Sequence, residues 1–348
     1  MRDASGRFRT RLCATLAAAV LALAAPGAQA AELLLRVADV YPVGHPVPEG
    51  TIRPFMEAVK KASNGRIDFQ FYPSEQLAKS RDVLSAINSG IGDIGLITPG
   101  YVTDKMPLSG VSEVPGGYLT SCQGSQALWD LTHGDGILAQ KEMTPNGVIP
   151  LITYTFTPYQ AFSTRLMTSF DDLKGQRIRT SGAMMDITAR KLGGVPMHIT
   201  APETHEALSR GTLDGVMFAY ESVFAYDLVP YLKSATDRER LSGTLVSYMM
   251  SLRKFRSLAP DVQAILLAAG KDATMTGCRA AELYARTAVE NLRGKGVAIY
   301  TTKPEERTRI DGFSDEVAAQ WAADIDKRGK PGTETLAAFR EAVKRYVP

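Results

Sequence analysis

Two arginines spaced two residues apart are the most pointed chemical feature of the sequence. Arg177 and Arg179 flank Ile178 in the run Asp171-Asp172-Leu173-Lys174-Gly175-Gln176-Arg177-Ile178-Arg179. Side chains alternate along a strand, so both arginines fall on the face opposite Ile178. Arg179 stands at the C-terminal end of that strand, where α/β sheets open the crevice that holds ligands. A guanidinium offers a planar pair of donors that matches a carboxylate. The chemistry on offer is capture of an organic anion. Residue chemistry alone leaves open the alternative that both arginines are solvated surface charges.

Other reactive residue types form no constellation. Gly90-Ile91-Gly92-Asp93-Ile94-Gly95 matches the glycine pattern of dinucleotide sites. It follows a predicted helix and opens a strand, however, the reverse of the order that aims a helix N-terminus at pyrophosphate. It therefore reads as a glycine-rich turn. His45, His133, His198 and His205 are scattered rather than clustered as metal ligands are. H-E-x-x-H, G-x-S-x-G and P-loop patterns are missing, and no carboxylate couple stands out. No cofactor or metal is expected, and the sequence gives an enzyme no support.

The elements that would position Arg179 alternate in type. Leu33 to Val40 reads as a strand, Ile52 to Ala62 as a helix and Arg66 to Tyr72 as a strand. A helix from Leu77 to Ser89 and a buried strand from Ile94 to Thr98 follow. The order recurs with strands at Gln176–Thr180, Val195–Ile199 and Gly215–Ala219, and helices at Ala183–Leu192 and Glu203–Arg210. Two junctions echo each other: Ala86 to Asp93 and Ala207 to Asp214 each close a helix at a Gly and place an Asp three residues later. Further on come a strand at Leu245–Leu252, helices at Asp261–Gly270 and Asp272–Leu292, and a short strand at Val297–Tyr300. Amphipathic helices at Pro304–Arg328 and Thr335–Val347 close the chain. Alternation of this kind means an α/β layer architecture.

Residues 1–30 read as a secretory signal. Arg2, Arg7, Arg9 and Arg11 precede the apolar run Leu12 to Ala25, and Ala28-Gln29-Ala30 supplies the cleavage pattern. Across all 348 residues, 45% are hydrophobic, 22% are charged and the formal charge is +3, which suits a globular protein of about two domains. Removing the signal takes away four arginines and one aspartate and leaves thirty-six basic and thirty-six acidic residues. A neutral chain without a basic block is not built to grip nucleic acid. Cys122 and Cys278 remain, either paired or as separate buried thiols.

The chain resembles the extracytoplasmic solute-binding proteins of tripartite ATP-independent periplasmic (TRAP) transporters, the DctP-like family. Asp171 to Ser222 carries the most specific part: an L-K-G-x-x-I-R strand, an L-G-x-x-P turn, and an E-x-x-x-A-L-x-x-G-x-x-D-G helix end. Gly44–Pro46, Asn64–Asp82, Gly90–Tyr101, Met106–Gly116 and Ser257–Leu266 extend it over nearly the whole mature chain. The resemblance implies a type II periplasmic-binding-protein fold, with two α/β lobes around an inter-lobe cleft, joined by hinge strands and a long helix. We expect one lobe at 31–155 plus 245–284 and the other at 156–244 plus 285–348.

The family's carboxylate-binding arginine maps onto Arg179. The chain lacks the Asn-Pro pair of sialic-acid-type members and has Phe218-Ala219 there, with Tyr220-Glu221 following as in branches that take aromatic and other hydrophobic acids. A second ligand arginine of some members falls near Tyr159. The resemblance thus implies a monocarboxylate with an aromatic or apolar body. Besides Arg179, the candidates for the wall of the site are His45, Gln76, Tyr101, Phe156, Tyr159, Met184, Phe218 and Tyr220, which come from loops and strand ends. Tyr220 is favoured because it follows a strand aimed at the cleft. The expected protein is a periplasmic, monomeric, non-enzymatic receptor that delivers a small organic carboxylate to TRAP membrane subunits. The alternatives are a ligand sensor for a receptor and a secreted hydrolase.

Overall fold

The computed structural model describes residues 31–347, so the predicted signal segment lies outside the described residues. Each sheet grows from one strand with a parallel neighbour on either side. In the first, β1 (Leu33–Ala38) pairs in parallel with β2 (Ile67–Tyr72) and β3 (Ile94–Ile97). The sheet is completed by β4 (Val148–Thr155), and by a later strand, Leu245–Ser251, that runs antiparallel between β3 and β4. In the second, β6 (Arg177–Thr180) pairs in parallel with β7 (Val195–His198) and β8 (Gly215–Phe218). β5 (Gln160–Ser163) lies antiparallel beside β8. β9 (Ser234–Thr236) pairs with β5, and β11 (Ala298–Tyr300) lies beyond it. The late strand of the first sheet is β10.

The two sheets therefore share a plan. The order β2-β1-β3-β10 of one corresponds to β7-β6-β8-β5 of the other, with three parallel strands and an antiparallel fourth. β3, β8 and β10 are buried throughout, as strands covered on both faces must be. The echoed junctions are structural equivalents. Asp93 accepts from the backbone N–H of Arg36 (2.8 Å) and from its Nε (3.1 Å), while Arg36 Nη2 donates to the Gly90 carbonyl (2.8 Å). Asp214 accepts from the N–H of Arg177 (3.0 Å) and from its Nε (2.8 Å), while Arg177 Nη2 donates to the Gly211 carbonyl (2.7 Å). Gly90 and Gly211 both have left-handed φ (+83° and +66°), which only a residue without Cβ adopts at little cost. Arg177 is thus a structural clasp, and its neighbour Asp214 is held down to about 2, first by the hydrogen bond from Arg177.

The chain passes from the first sheet to the second through 156–159 and returns through 237–244. The two crossings bond to each other, with the Tyr159 N–H on the Ser242 carbonyl (2.9 Å) and the Leu241 N–H on the Tyr159 carbonyl (3.2 Å). The third connection is a single helix, Pro260–Gly294, of 35 residues, where the sequence suggested two consecutive helices. Nothing between Gly270 and Asp272 breaks it. Gly270 is there because a Cβ would collide with the Leu151 carbonyl of β4; the helix lies that close to the sheet. Near its other end the helix touches β11 of the second sheet. A disulfide between Cys122 and Cys278 ties it to the helix Ser121–Thr132. The architecture is the expected one: two α/β lobes of the type II periplasmic-binding-protein fold, joined by crossing strands and a long helix.

One boundary differs. The helix expected from Leu77 begins at Val83. Ser74 and Glu75 take positive φ, and the Glu75 carboxylate accepts from the N–H and hydroxyl of Ser80 (both 2.7 Å), which holds 74–82 in a loop.

Candidate ligand-binding site

β6 ends where the two lobes meet, and Arg179 sits at that junction, 1% exposed. Its Nε donates to the Ile199 carbonyl (2.9 Å), and Nη2 donates to the Tyr101 hydroxyl (2.8 Å). The guanidinium carbon lies 4.4 Å from the centre of the Phe218 ring, at the end of β8. Nη1 has no hydrogen-bond partner. Among the described residues, no carboxylate lies within 4.0 Å of this guanidinium, whereas seventeen other ion pairs form elsewhere. A buried cation with a free N–H group is held only if something anionic completes it.

Around it stands a continuous group of rings. Phe156 lies edge-on to Tyr159 (6.0 Å between centres), Tyr159 edge-on to Phe218 (6.0 Å), and Phe218 stacks on Tyr226 (6.1 Å). Tyr41, just beyond β1, meets Phe156 at 6.5 Å and stacks on His45 at 4.1 Å. The space they enclose is small, about 10 Å³, room for about one water. Tyr101, Phe156, Tyr159 and Phe218 line it, together with Tyr41, Ser181 and Ser222. The rings reach it by strand ends and crossings: Phe156 and Tyr159 lie on the first crossing, and Phe218 closes β8.

The expected site residues divide accordingly. Arg179, Tyr101, Phe156, Tyr159 and Phe218 come together. His45 joins through Tyr41, and its Nδ1 also accepts from the Val47 N–H (3.1 Å), capping the short helix Pro46–Gly50. Burial pushes the His45 imidazole down to about 3, so it is neutral. Tyr220 goes elsewhere. Its hydroxyl donates to the Thr236 carbonyl and Asp237 (both 3.2 Å), and its ring packs on Phe162. The chain turns helical at Tyr220, so strand alternation stops applying there; Ser222 lines the enclosed space, and Tyr226, one turn on, stacks behind Phe218. Met184 is fully buried on the helix Ala183–Lys191 but does not line the space. Gln76 is exposed on the loop at 74–82.

Two buried carboxylates, Glu113 and Glu221, had no readable signal. Glu113, 1% exposed, ends the 3₁₀ turn Leu108–Glu113 and accepts from the Met185 N–H (3.2 Å) and the Ser181 hydroxyl (3.5 Å) of the other lobe. Burial raises its carboxyl to about 8. The Met185 N–H opposes this, Asp186 adds to it, and Arg179 and Ser181 oppose it. Gly182 leaves room for it: a Cβ there would collide with the Glu113 carboxylate, and one on Gly100 would collide with the Ser181 carbonyl. The Tyr101 hydroxyl also accepts from the Ala201 N–H (2.8 Å), a second tie between the lobes. Glu221, fully buried, accepts from Tyr154 (3.3 Å) and from the Thr157 hydroxyl (3.0 Å) at the crossing. None of these contacts is written in local sequence pattern; they need the fold.

A wider groove of about 700 Å³ runs between the crossings and the long helix. Four acidic and four basic residues line it, and it contains none of the unpartnered buried atoms, so it offers no ligand a comparable hold. Among the described residues there is no group of three or more potential metal ligands, and no helix is long and apolar enough to cross a membrane.

The sequence profile of bacterial extracellular solute-binding protein family 7, DctP, matches residues 37–324. The C4-dicarboxylate-binding periplasmic protein DctP of Rhodobacter capsulatus is 24% identical over 92% of this chain and 94% of its own. A TRAP periplasmic solute-binding protein of Bordetella bronchiseptica, solved with (R)- and (S)-mandelate, is 23% identical. It superposes with a TM-score of 0.79 over 90% of this chain and 99% of its own. A marine-metagenome TRAP solute-binding protein solved with 3-hydroxybenzoate is 20% identical, with a TM-score of 0.84 over 92% and 100% of the two chains.

Proposed function

Since the chain belongs to the DctP family of TRAP extracellular solute-binding proteins, we propose that it captures a monocarboxylate with an aromatic or apolar body. The observation that carries this reading is the Arg179 guanidinium: buried, without an acidic partner among the described residues, with Nη1 free, and set among aromatic rings. The ligand carboxylate pairs with Nη1 and Nη2, and Phe156, Tyr159 and Phe218 cover its body. The mandelate and 3-hydroxybenzoate bound by two structural neighbours are of this chemical class.

The lobes, assigned as 31–155 with 245–284 and 156–244 with 285–348, close because the ligand binds the closed form more tightly than the open one. Tyr101 and Glu113 supply direct contacts between the lobes in the closed form. The loaded protein, working in the periplasm, hands the acid to TRAP membrane subunits without altering it. A disulfide between Cys122 and Cys278 suits that oxidising compartment.

Isothermal titration with benzoate, mandelate and succinate tests the reading. Benzoate or mandelate should bind in the micromolar range or tighter, and succinate weakly. Arg179→Ala should cost about 2–5 kcal/mol, the range for unpairing a buried charge. Arg177→Ala, which opens only the clasp on Asp214, should leave affinity unchanged. Equal binding by wild type and Arg179→Ala would overturn the assignment.

A further inference from the structure

The proposed site holds more unpaired polar atoms than one carboxylate can use. Besides Arg179 Nη1 and His198 Nε2, whose ring lies 6.5 Å from that of Tyr101, three buried side-chain atoms have no partner: His45 Nε2, the Ser222 hydroxyl and the Tyr226 hydroxyl. His45 is 1% exposed, Ser222 1% and Tyr226 8%. Buried polar atoms are nearly always paired, so a cluster of orphans in one place marks where a ligand is expected to complete them.

Their chemistry is specific. Nδ1 of His45 accepts from the Val47 N–H, so its lone pair is committed. In the neutral ring the proton is then on Nε2, which is a donor with nothing to donate to. The His45 ring lies 5.4 Å from that of Tyr226, whose hydroxyl can donate or accept. Tyr226 stacks on Phe218, and Phe218 lies beneath Arg179. His45 and Tyr226 therefore form a second polar pole, linked to the guanidinium along the Phe218 ring. Ser222, one helical turn before Tyr226, lines the small space beside Phe218.

We propose that the ligand is a hydroxy-substituted aromatic monocarboxylate, whose ring hydroxyl, on the far side from the carboxylate, accepts from His45 Nε2 and donates to the Tyr226 hydroxyl. A hydroxyl satisfies both partners at once; a bare ring edge leaves both unpaired. This inference rests on the monocarboxylate reading and narrows it. Its physical basis is that a site built to bond a hydroxyl discriminates strongly against the analogue lacking one.

The test compares benzoate, 3-hydroxybenzoate and 4-hydroxybenzoate by isothermal titration against wild type, Tyr226→Phe and His45→Asn. Tyr226→Phe removes one oxygen and keeps the stacked ring. His45→Asn removes the Nε2 donor and keeps an acceptor for the Val47 N–H. Wild type should bind at least one hydroxybenzoate roughly tenfold or more tightly than benzoate, and each variant should bring that ratio towards one. A ratio within twofold for both isomers in wild type would overturn the inference, as would a preference that persists undiminished in both variants. If benzoate binds through Arg179 but no hydroxyl preference exists, only this inference fails. If none of the three acids binds, the monocarboxylate reading fails and this inference falls with it.

Discussion

Closing the lobes over Glu113 should take up a proton. In this structure, which we propose is the closed form, its carboxylate is sealed between the 3₁₀ turn 108–113 and the segment Ser181–Met185, and its pKa is raised from 4.5 to about 8, burial being the largest cause. Once the lobes part, water returns and the ordinary value applies. Between these two values the closed form holds the proton and the open form does not. The sign follows: for the ionised acid, affinity is highest near pH 4.5, falls by up to about tenfold per pH unit as pH rises from there to about 8, and levels off above it; below pH 4.5 the ligand carboxyl itself protonates and the pairing with Arg179 is lost. At pH 7, close to one proton, ~0.9, should accompany each binding event. Asp186 raises the same carboxyl, and the Met185 N–H, Arg179 and Ser181 lower it, so these are the groups that set the midpoint. Titration of 3-hydroxybenzoate at pH 7 in buffers of different ionisation enthalpy reads the proton count directly. Glu113→Gln mimics the protonated group; it should abolish uptake and make affinity nearly independent of pH at the wild-type low-pH level. Buffer-independent heats in wild type would refute the reasoning, as would an unchanged pH profile in the variant.

Gly182→Ala sets a Cβ against the Glu113 carboxylate and should weaken benzoate binding by more than about tenfold, while circular dichroism and melting stay near wild type; normal affinity would show that the lobes need not meet there. Replacing Cys122 and Cys278 together by Ala opens a covalent link across 156 residues of sequence. It should cost about 2–4 kcal/mol in denaturant unfolding, with benzoate affinity retained, since the bond lies outside the enclosed space; a loss of affinity instead would place it in the closing mechanism.

The sheets were legible because alternation and glycine stops are local signals. Gly90 and Gly211 end helices where the chain must turn left-handed, and the Asp three residues on clasps the Arg of the central strand, so repeated spacing reported repeated structure. Arg179 was legible as the strand-end charge of a recognisable motif. Tyr220 shows the limit: two residues past β8 the backbone becomes helical, and a face inferred from strand alternation rotates away from the site. Glu113 and Glu221 were illegible for a different reason. Each partners backbone or hydroxyl groups far along the chain, 64 to 72 residues away, and nothing in the neighbouring sequence announces a carboxylate buried by another lobe. His45 belongs to both classes, being locally a helix cap and globally part of an aromatic wall.

The 35-residue helix 260–294 would measure ~50 Å end to end. A stiff rod fastened to both halves suppresses twisting and sliding and leaves a swing about the crossings as the soft motion. The angle between the halves then becomes a single coordinate, and points far apart on the outer surface shift together with it. A neighbour gripping two such points senses a spacing rather than the guest itself, so it can tell a shut receptor from a gaping one without reaching inside.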